Sequence, residues 1–241
     1  MYRQITLRRP LARHALMAAG LGALLGLAAC SSPTPARYYT LQRPAGSAPV
    51  DAAVRTTGAV PAQASAAPAP AAVSGNARFA LQVLPVRVPP AIDLPQVLVR
   101  SSEGEVVPLE NARWLGPLAD EIRAAVVTQL GRTLGVPEVS AVSVPAGLPV
   151  YRVQLDVTRF DTVRGQYAMQ DVAWSVREMV PAGQATNGSP AVVLCQSRQV
   201  ESVSDESTPA LIQAHQQSLA RLSAQIAATL ARPPAEWRCP A

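Results

Sequence analysis

The most constraining stretch of this chain is a strict alternation. Tyr151, Val153, Leu155 and Val157 point one way while Arg152, Gln154, Asp156 and Thr158 point the other. A period of two belongs to a strand with one dry face and one wet face, so the rest of the chain must supply cover for the dry side. Val172, Trp174 and Val176 repeat the pattern, Asn187-Gly188 marks a loop tip, and Ala191 to Ser202 reads as a third strand. The cover comes from two helical patterns. Gly116-Pro117 opens the first, with Pro117 expected at the first helical position and Asp120 and Glu121 near the positive end of the dipole. Leu118, Ile122, Val126 and Leu130 form its apolar stripe, and Gly131 and Gly135 provide the exit. The second helix is expected to start with Thr208 as N-cap and Pro209 behind it. It runs through Leu211, Ile212, Leu219, Leu222, Ile226 and Leu230 until Pro233-Pro234 stops it.

Upstream, Phe79, Leu81 and Val83 alternate, and beyond Pro85 the apolar phase moves to Val86 and Val88, as in a strand bent at the proline. Gln96 to Ser101 and Glu105 to Leu109 flank Glu103-Gly104 and read as a hairpin. Val139 to Val144 reads as a short strand, so the first helix can serve as a parallel crossover. Arg37 to Gln42 is a strand ended by Pro44. The fold class that follows is α+β: a mixed, mostly antiparallel sheet with two amphipathic helices packed on it. Residues 45–76 are largely Ala, Pro, Ser and Gly without periodicity, which predicts a disordered Ala/Pro-rich insertion.

The N-terminus carries a different signal. Residues 1–14 are basic and acid-free, Ala15 to Leu27 is an apolar run broken by Gly20, Gly22 and Gly26, and Leu27-Ala28-Ala29-Cys30 follows. The run falls well short of the roughly 20 residues that span a bilayer, so it reads as a secretory signal peptide. Arg8-Arg9 lacks the rest of a twin-arginine motif, which favours the general secretory route. Leu, two small residues and Cys resemble the lipobox of bacterial lipoproteins. That resemblance implies diacylglycerol on the Cys30 sulfur, cleavage before it, and durable anchoring at ~0.8 kcal/mol per buried methylene. Ser31 in place of Asp implies the periplasmic face of the outer membrane, by the sorting rule of enteric lipoproteins. The expected plan is a signal at 1–29, a tether at 30–36, the first strand at 37–44, the insertion at 45–76, the main domain at 77–232 and a tail at 233–241. Cys195 and Cys239 remain as an even number in an oxidising compartment. They are either a disulfide tying the tail to a strand or a buried thiol and an exposed one.

The chemistry that is missing narrows the function. The net charge of +5 and pI of about 9.6 suggest nucleic acid. Yet Arg3, Arg8, Arg9 and Arg13 lie in the signal, and the remaining 17 basic residues face 16 acids with no basic patch. Beyond the signal His215 is the single histidine, too little for a metal site, and no motif places a nucleophile or acid beside it. No phosphate-cradling, nucleophile-elbow or zincin motif occurs. Asp156 and Asp161 read as solvated carboxylates rather than a glycosidase pair. The expectation is therefore no enzyme, no metal, no cofactor and no nucleic acid. Trp174 reads as core, Trp114 as a staple at the helix entry, and Trp237 as packing over a Cys195–Cys239 disulfide.

Three segments carry a family resemblance. They are Tyr38-Tyr39-Thr40-Leu41, Ile92-Asp93-Leu94-Pro95-Gln96-Val97-Leu98-Val99-Arg100 and Arg113-Trp114-Leu115-Gly116-Pro117-Leu118. In order and spacing the chain is similar to the ABC-type transport auxiliary lipoproteins, which include the PqiC-like proteins of Gram-negative bacteria. It departs from them at Gly116, where the family pattern has an acid, and in the insertion. The resemblance implies a non-catalytic lipoprotein that works with an MCE-domain protein and associated inner-membrane permease or ABC components, with homo-oligomers left open. Such systems move phospholipids or other hydrophobic molecules between the two membranes and support envelope integrity. The alternative is an envelope assembly lipoprotein, a pilotin or chaperone for an outer-membrane pore. Asp93, Pro95, Gln96, Arg100, Arg113, Trp114 and Pro117 are the residues expected to face a partner.

Overall fold

A computed structural model describes residues 35–44, 77–101, 103–140, 144, 147–180 and 190–240. The signal peptide, Cys30, the 45–76 insertion and Asn187-Gly188 lie outside the described residues. The unit that begins at Ala36 is described here by itself. Its strands are β1 (Arg37–Tyr39), β2 (Ala80–Val83), β3 (Gln96–Arg100), β4 (Val106–Trp114), β5 (Val150–Val163), β6 (Tyr167–Met179) and β7 (Val192–Ser202). Its helices are α1 (Leu118–Leu134), between β4 and β5, and α2 (Thr208–Leu230), after β7.

The class is α+β, as the patterning predicts. The strands form two sheets rather than one, with orders β1-β4-β3 and β2-β5-β6-β7. β1–β4 and β2–β5 are parallel and the other pairs antiparallel. The division follows from the prolines. Pro85, Pro89 and Pro90 carry no backbone donor, so the chain leaves the larger sheet after β2, touches β5 once more at Arg87↔Asp156, and turns into the hairpin of the smaller sheet. The predicted strand 139–144 is reduced to an isolated parallel bridge between Leu81 and Glu138, and residues 141–143 lie outside the described residues. The crossover through α1 instead delivers β5 beside β2.

β5 and β6 form a long hairpin whose turn contains Gly165 at φ 61°. The alternation predicts only the first half of β5. At Thr158 the register shifts between Val157 and Arg159, and beyond this bulge both faces of the strand are covered, with Phe160, Asp161, Thr162 and Val163 all buried. Tyr151, Val153, Leu155 and Val157, with Val172, Trp174 and Val176, pack into one core with the stripes of both helices. Pro117 is the N-cap of α1, one position before the expected one, and Gly135 ends the helix in the left-handed region, its N–H donating to Gly131 O at 2.9 Å. α1 thus begins one residue later than expected, whereas α2 begins one residue early. Ser207 is its N-cap and accepts from Ala210 N at 3.3 Å.

The segment after β1 is locked between the helices. Glu121, buried on α1, accepts from Thr40 Oγ1 at 2.7 Å and Leu41 N at 2.9 Å, while Gln216 Nε2 on α2 donates to Thr40 O at 2.9 Å. Leu41 fills the core beneath them. Removing the carboxylate strands a buried backbone N–H, so Glu121→Ala is expected to cost about 3 kcal/mol in urea unfolding. Glu121→Gln keeps an acceptor oxygen and is expected to recover part of that loss.

Candidate docking cleft

The candidate site grows out of the end of β4. β1 runs parallel to it, with Tyr38 opposite Arg113 and Tyr39 opposite Trp114. Two backbone bonds fix the loops on either side: Trp114 N donates to Pro95 O and Leu115 N to Tyr39 O, both at 2.8 Å. Between them lies a cleft of about 480 Å³ bounded by Asp93, Leu94 and Pro95 on one side and Leu115, Gly116 and Pro117 on the other, with Tyr38, Arg113 and Trp114 along β1 and β4. Three apolar side chains around it meet solvent: Leu115 is 66% exposed, Tyr38 63% and Leu94 40%. Trp114 is buried and meets Phe160 edge-on, ring centroids 6.1 Å apart. It is the last residue of β4 and part of the core, rather than only a staple at the helix entry.

Of the seven residues expected to face a partner, Asp93, Pro95, Arg113, Trp114 and Pro117 line this cleft. Gln96 adjoins it, paired in register with Arg113. Arg100 does not belong to it. It sits at the far end of β3, where its guanidinium bonds Asp161 at 3.1 Å and ties the two sheets together. Tyr38, Leu94 and Leu115 stand in the family-like segments without being among the residues expected to face a partner. A Cβ at Gly116 would stand 3.7 Å from Glu121 Oε1. An acid there would put a second negative charge next to the carboxylate that clamps Leu41, a neighbour the glycine removes.

Three other carboxylates are engaged by arginines. Asp156 is solvated and pairs with Arg87 at 3.2 Å, whereas Asp161 is not solvated but buried between Arg100 and Arg159. Asp171 takes both arms of Arg198, at 2.7 and 2.9 Å, and these hydrogen bonds hold its carboxyl below the usual range. Among the described residues no group of three or more His, Cys, Asp and Glu is placed to hold a metal. Cys195 and Cys239 form a disulfide with Cα atoms 5.4 Å apart. Trp237 packs edge-on against Tyr151, ring centroids 4.9 Å apart, and donates to Arg232 O at 3.1 Å.

His215 is fully buried, stacked on Phe160 at 4.0 Å, between Thr162 Oγ1 at 2.7 Å and Gln170 Nε2 at 3.1 Å. The Gln170 amide nitrogen also donates to His215 O at 3.2 Å, so Nδ1 accepts and Nε2–H donates to Thr162. Burial lowers the imidazole pKa to about 3, against a smaller opposing pull from Asp161. The ring is a neutral core member, as its place on the helix stripe predicts.

The domain thus combines an α+β core with an open cleft of mixed polar and apolar lining at its surface. The chain belongs to the family of ABC-type transport auxiliary lipoprotein components, whose model matches residues 61–227. No curated protein matches it. Among solved structures it is similar to an uncharacterised protein at 19% identity and TM-score 0.52, covering 64% of this chain and 93% of that one. A protein from Xanthomonas campestris aligns at 20% identity and TM-score 0.44 over 61% of this chain and 81% of its own. A candidate lipoprotein from Caulobacter crescentus aligns at 18% and 0.30 over 45% and 76%. At these identities the first likeness speaks for the fold. No helix among the described residues is long and apolar enough to cross a membrane.

Proposed function

We propose that this chain is the non-catalytic lipoprotein subunit of an ABC/MCE-type transport system that moves phospholipids or other hydrophobic molecules between the inner and outer membranes. In this reading acyl chains on Cys30 hold it at the periplasmic face of the outer membrane, and the cleft receives an MCE-domain partner. The observation that carries the reading is that five of the seven residues expected to face a partner converge on one cleft with exposed apolar side chains around it. An exposed patch of this kind is normally a contact site. The Leu27-Ala28-Ala29-Cys30 sequence and the family supply the anchor and the transport context.

Two measurements test it. Cells grown with labelled palmitate should mark the wild-type protein and leave Cys30→Ala unmarked and soluble. Tyr38→Asp with Leu115→Asp, in lipidated and folded protein, should cut co-purification of an MCE-domain protein at least tenfold. Undiminished recovery would reject the cleft as the docking face. The rival assembly role draws on β7, the edge of its sheet, where Val192, Leu194 and Val200 are exposed. Recovery of a secretin or barrel protein in place of an MCE protein decides for it.

A further inference from the structure

Arg113 is the unusual member of the cleft. Arg100 and Arg123, equally half-buried, each hold a carboxylate, at 3.1 and 3.2 Å. Arg113 differs from both in having no ion pair among the described residues; its Nε, like that of Arg100, is buried without a hydrogen-bond partner. Asp93 lines the same cleft and is not its partner. A guanidinium N–H removed from water and left unbonded is costly, and the cost is recovered if an acceptor arrives from outside. The planar fork of arginine suits a carboxylate in particular. Around it stand Tyr38, Leu94 and Leu115, apolar and open to solvent.

We infer that this cleft receives a partner segment carrying an apolar side chain close to a carboxylate, the apolar group entering between Tyr38, Leu94 and Leu115 and the carboxylate meeting Arg113. The inference rests on the docking role proposed above and specifies the chemistry of the docked segment. A protein segment fits better than a lipid for two reasons. The cleft is a shallow surface feature rather than a tunnel able to enclose acyl chains. Its lining includes an exposed Tyr and an Arg, residue types enriched in protein-binding hot spots. Asp93 on the rim also disfavours a lipid phosphate and accepts a backbone N–H or a cation from a peptide.

The test uses the full-length lipidated protein in cells, with photoreactive p-benzoylphenylalanine in place of Leu115 and identification of the crosslinked peptide by mass spectrometry. The expected product is a peptide with Asp, Glu or a terminal carboxylate within about four residues of the crosslinked apolar residue. Arg113→Glu should lower the crosslink yield at least tenfold, Arg113→Lys should retain a substantial part, and reversing the partner's acid to Arg should restore yield with Arg113→Glu. If Arg113→Glu fails to accumulate, Arg113→Gln takes its place, with an expected loss of at least fivefold. A crosslink to lipid or to a second copy, no crosslink, a peptide without a carboxylate, or yield indifferent to residue 113 overturns the inference. The identity of the crosslinked protein is a separate readout. An acidic, apolar segment from a protein without an MCE domain leaves the chemistry standing and rejects the transport assignment.

Discussion

As pH falls from 6.5 to 4.5 the domain is expected to lose about 2 kcal/mol of stability through His215 alone, the slope approaching about 1.4 kcal/mol per pH unit below about pH 5.5. The sign follows from its pKa, depressed to about 3 in the folded protein against about 6.5 in an unfolded chain. In that window the unfolded state binds the proton and the folded state does not. The contribution is therefore complete above pH 6.5 and shrinks as pH falls towards the folded value. Structure explains the depression twice over. The ring is sealed from water against Phe160, and the Gln170 amide that faces Nδ1 is a donor, with nothing to offer a second N–H. The other shifted groups are common to wild type and a His215 variant, so the difference between the two curves isolates the effect even where Glu201 offsets part of it. The lowered pKa of Asp171 acts only at more acidic pH, and Glu201, pushed up by burial, gains rather than loses stability as pH falls. Urea denaturation at several pH values should show the slope in wild type and its loss in His215→Leu. That variant should also be less stable at neutral pH, because Thr162 and Gln170 lose their partner. An unchanged slope in the variant would refute the assignment.

Replacing Cys195 and Cys239 with Ala is expected to lower stability by about 4 kcal/mol. The bond closes a loop with a sequence separation of 44, which contains all of α2. Without it the unfolded chain regains the freedom of that loop. The tail also loses the tie that keeps Trp237 on Tyr151 and places Cys239 beside Leu194 O at the edge of the larger sheet. Urea midpoints of the oxidised protein, the dithiothreitol-treated protein and the double variant should separate the first from the other two. Trp237 should become more exposed in both. Coincident midpoints for all three would show that the bond contributes nothing to stability.

Much of this architecture is written in period and punctuation. Tyr151 to Val157, the Leu118-Ile122-Val126-Leu130 stripe and the α2 stripe are buried as their spacing requires, because these patterns record local geometry directly. What escaped is set by distant partners. Period two shows that a strand has a dry face and says nothing of which strand lies beside it, so two sheets were indistinguishable from one. The bulge at Thr158 makes a continuing strand resemble an ending one. Arg100 shares a segment with Gln96, yet its partner Asp161 lies 61 residues away. Glu121 reads locally as a charge suited to a helix N-terminus, and only tertiary structure reveals that it holds Thr40 and Leu41. In the cleft, Asp93, Pro95, Arg113, Trp114 and Pro117 were legible through family-like segments. The role of Leu115 was not, since exposure of an apolar residue belongs to the assembled surface.

Tyr38 belongs both to the cleft and to the strand nearest the N-terminal tether, and this sets a limit on distance. It lies eight positions beyond Cys30, a contour of about 28 Å at full extension. Under the proposed acylation of Cys30, the cleft would stay within that radius of the lipid headgroups however the rest of the molecule turned. Any protein that uses it must bring its own binding segment down to the bilayer surface, as the tip of a structure spanning the periplasm would.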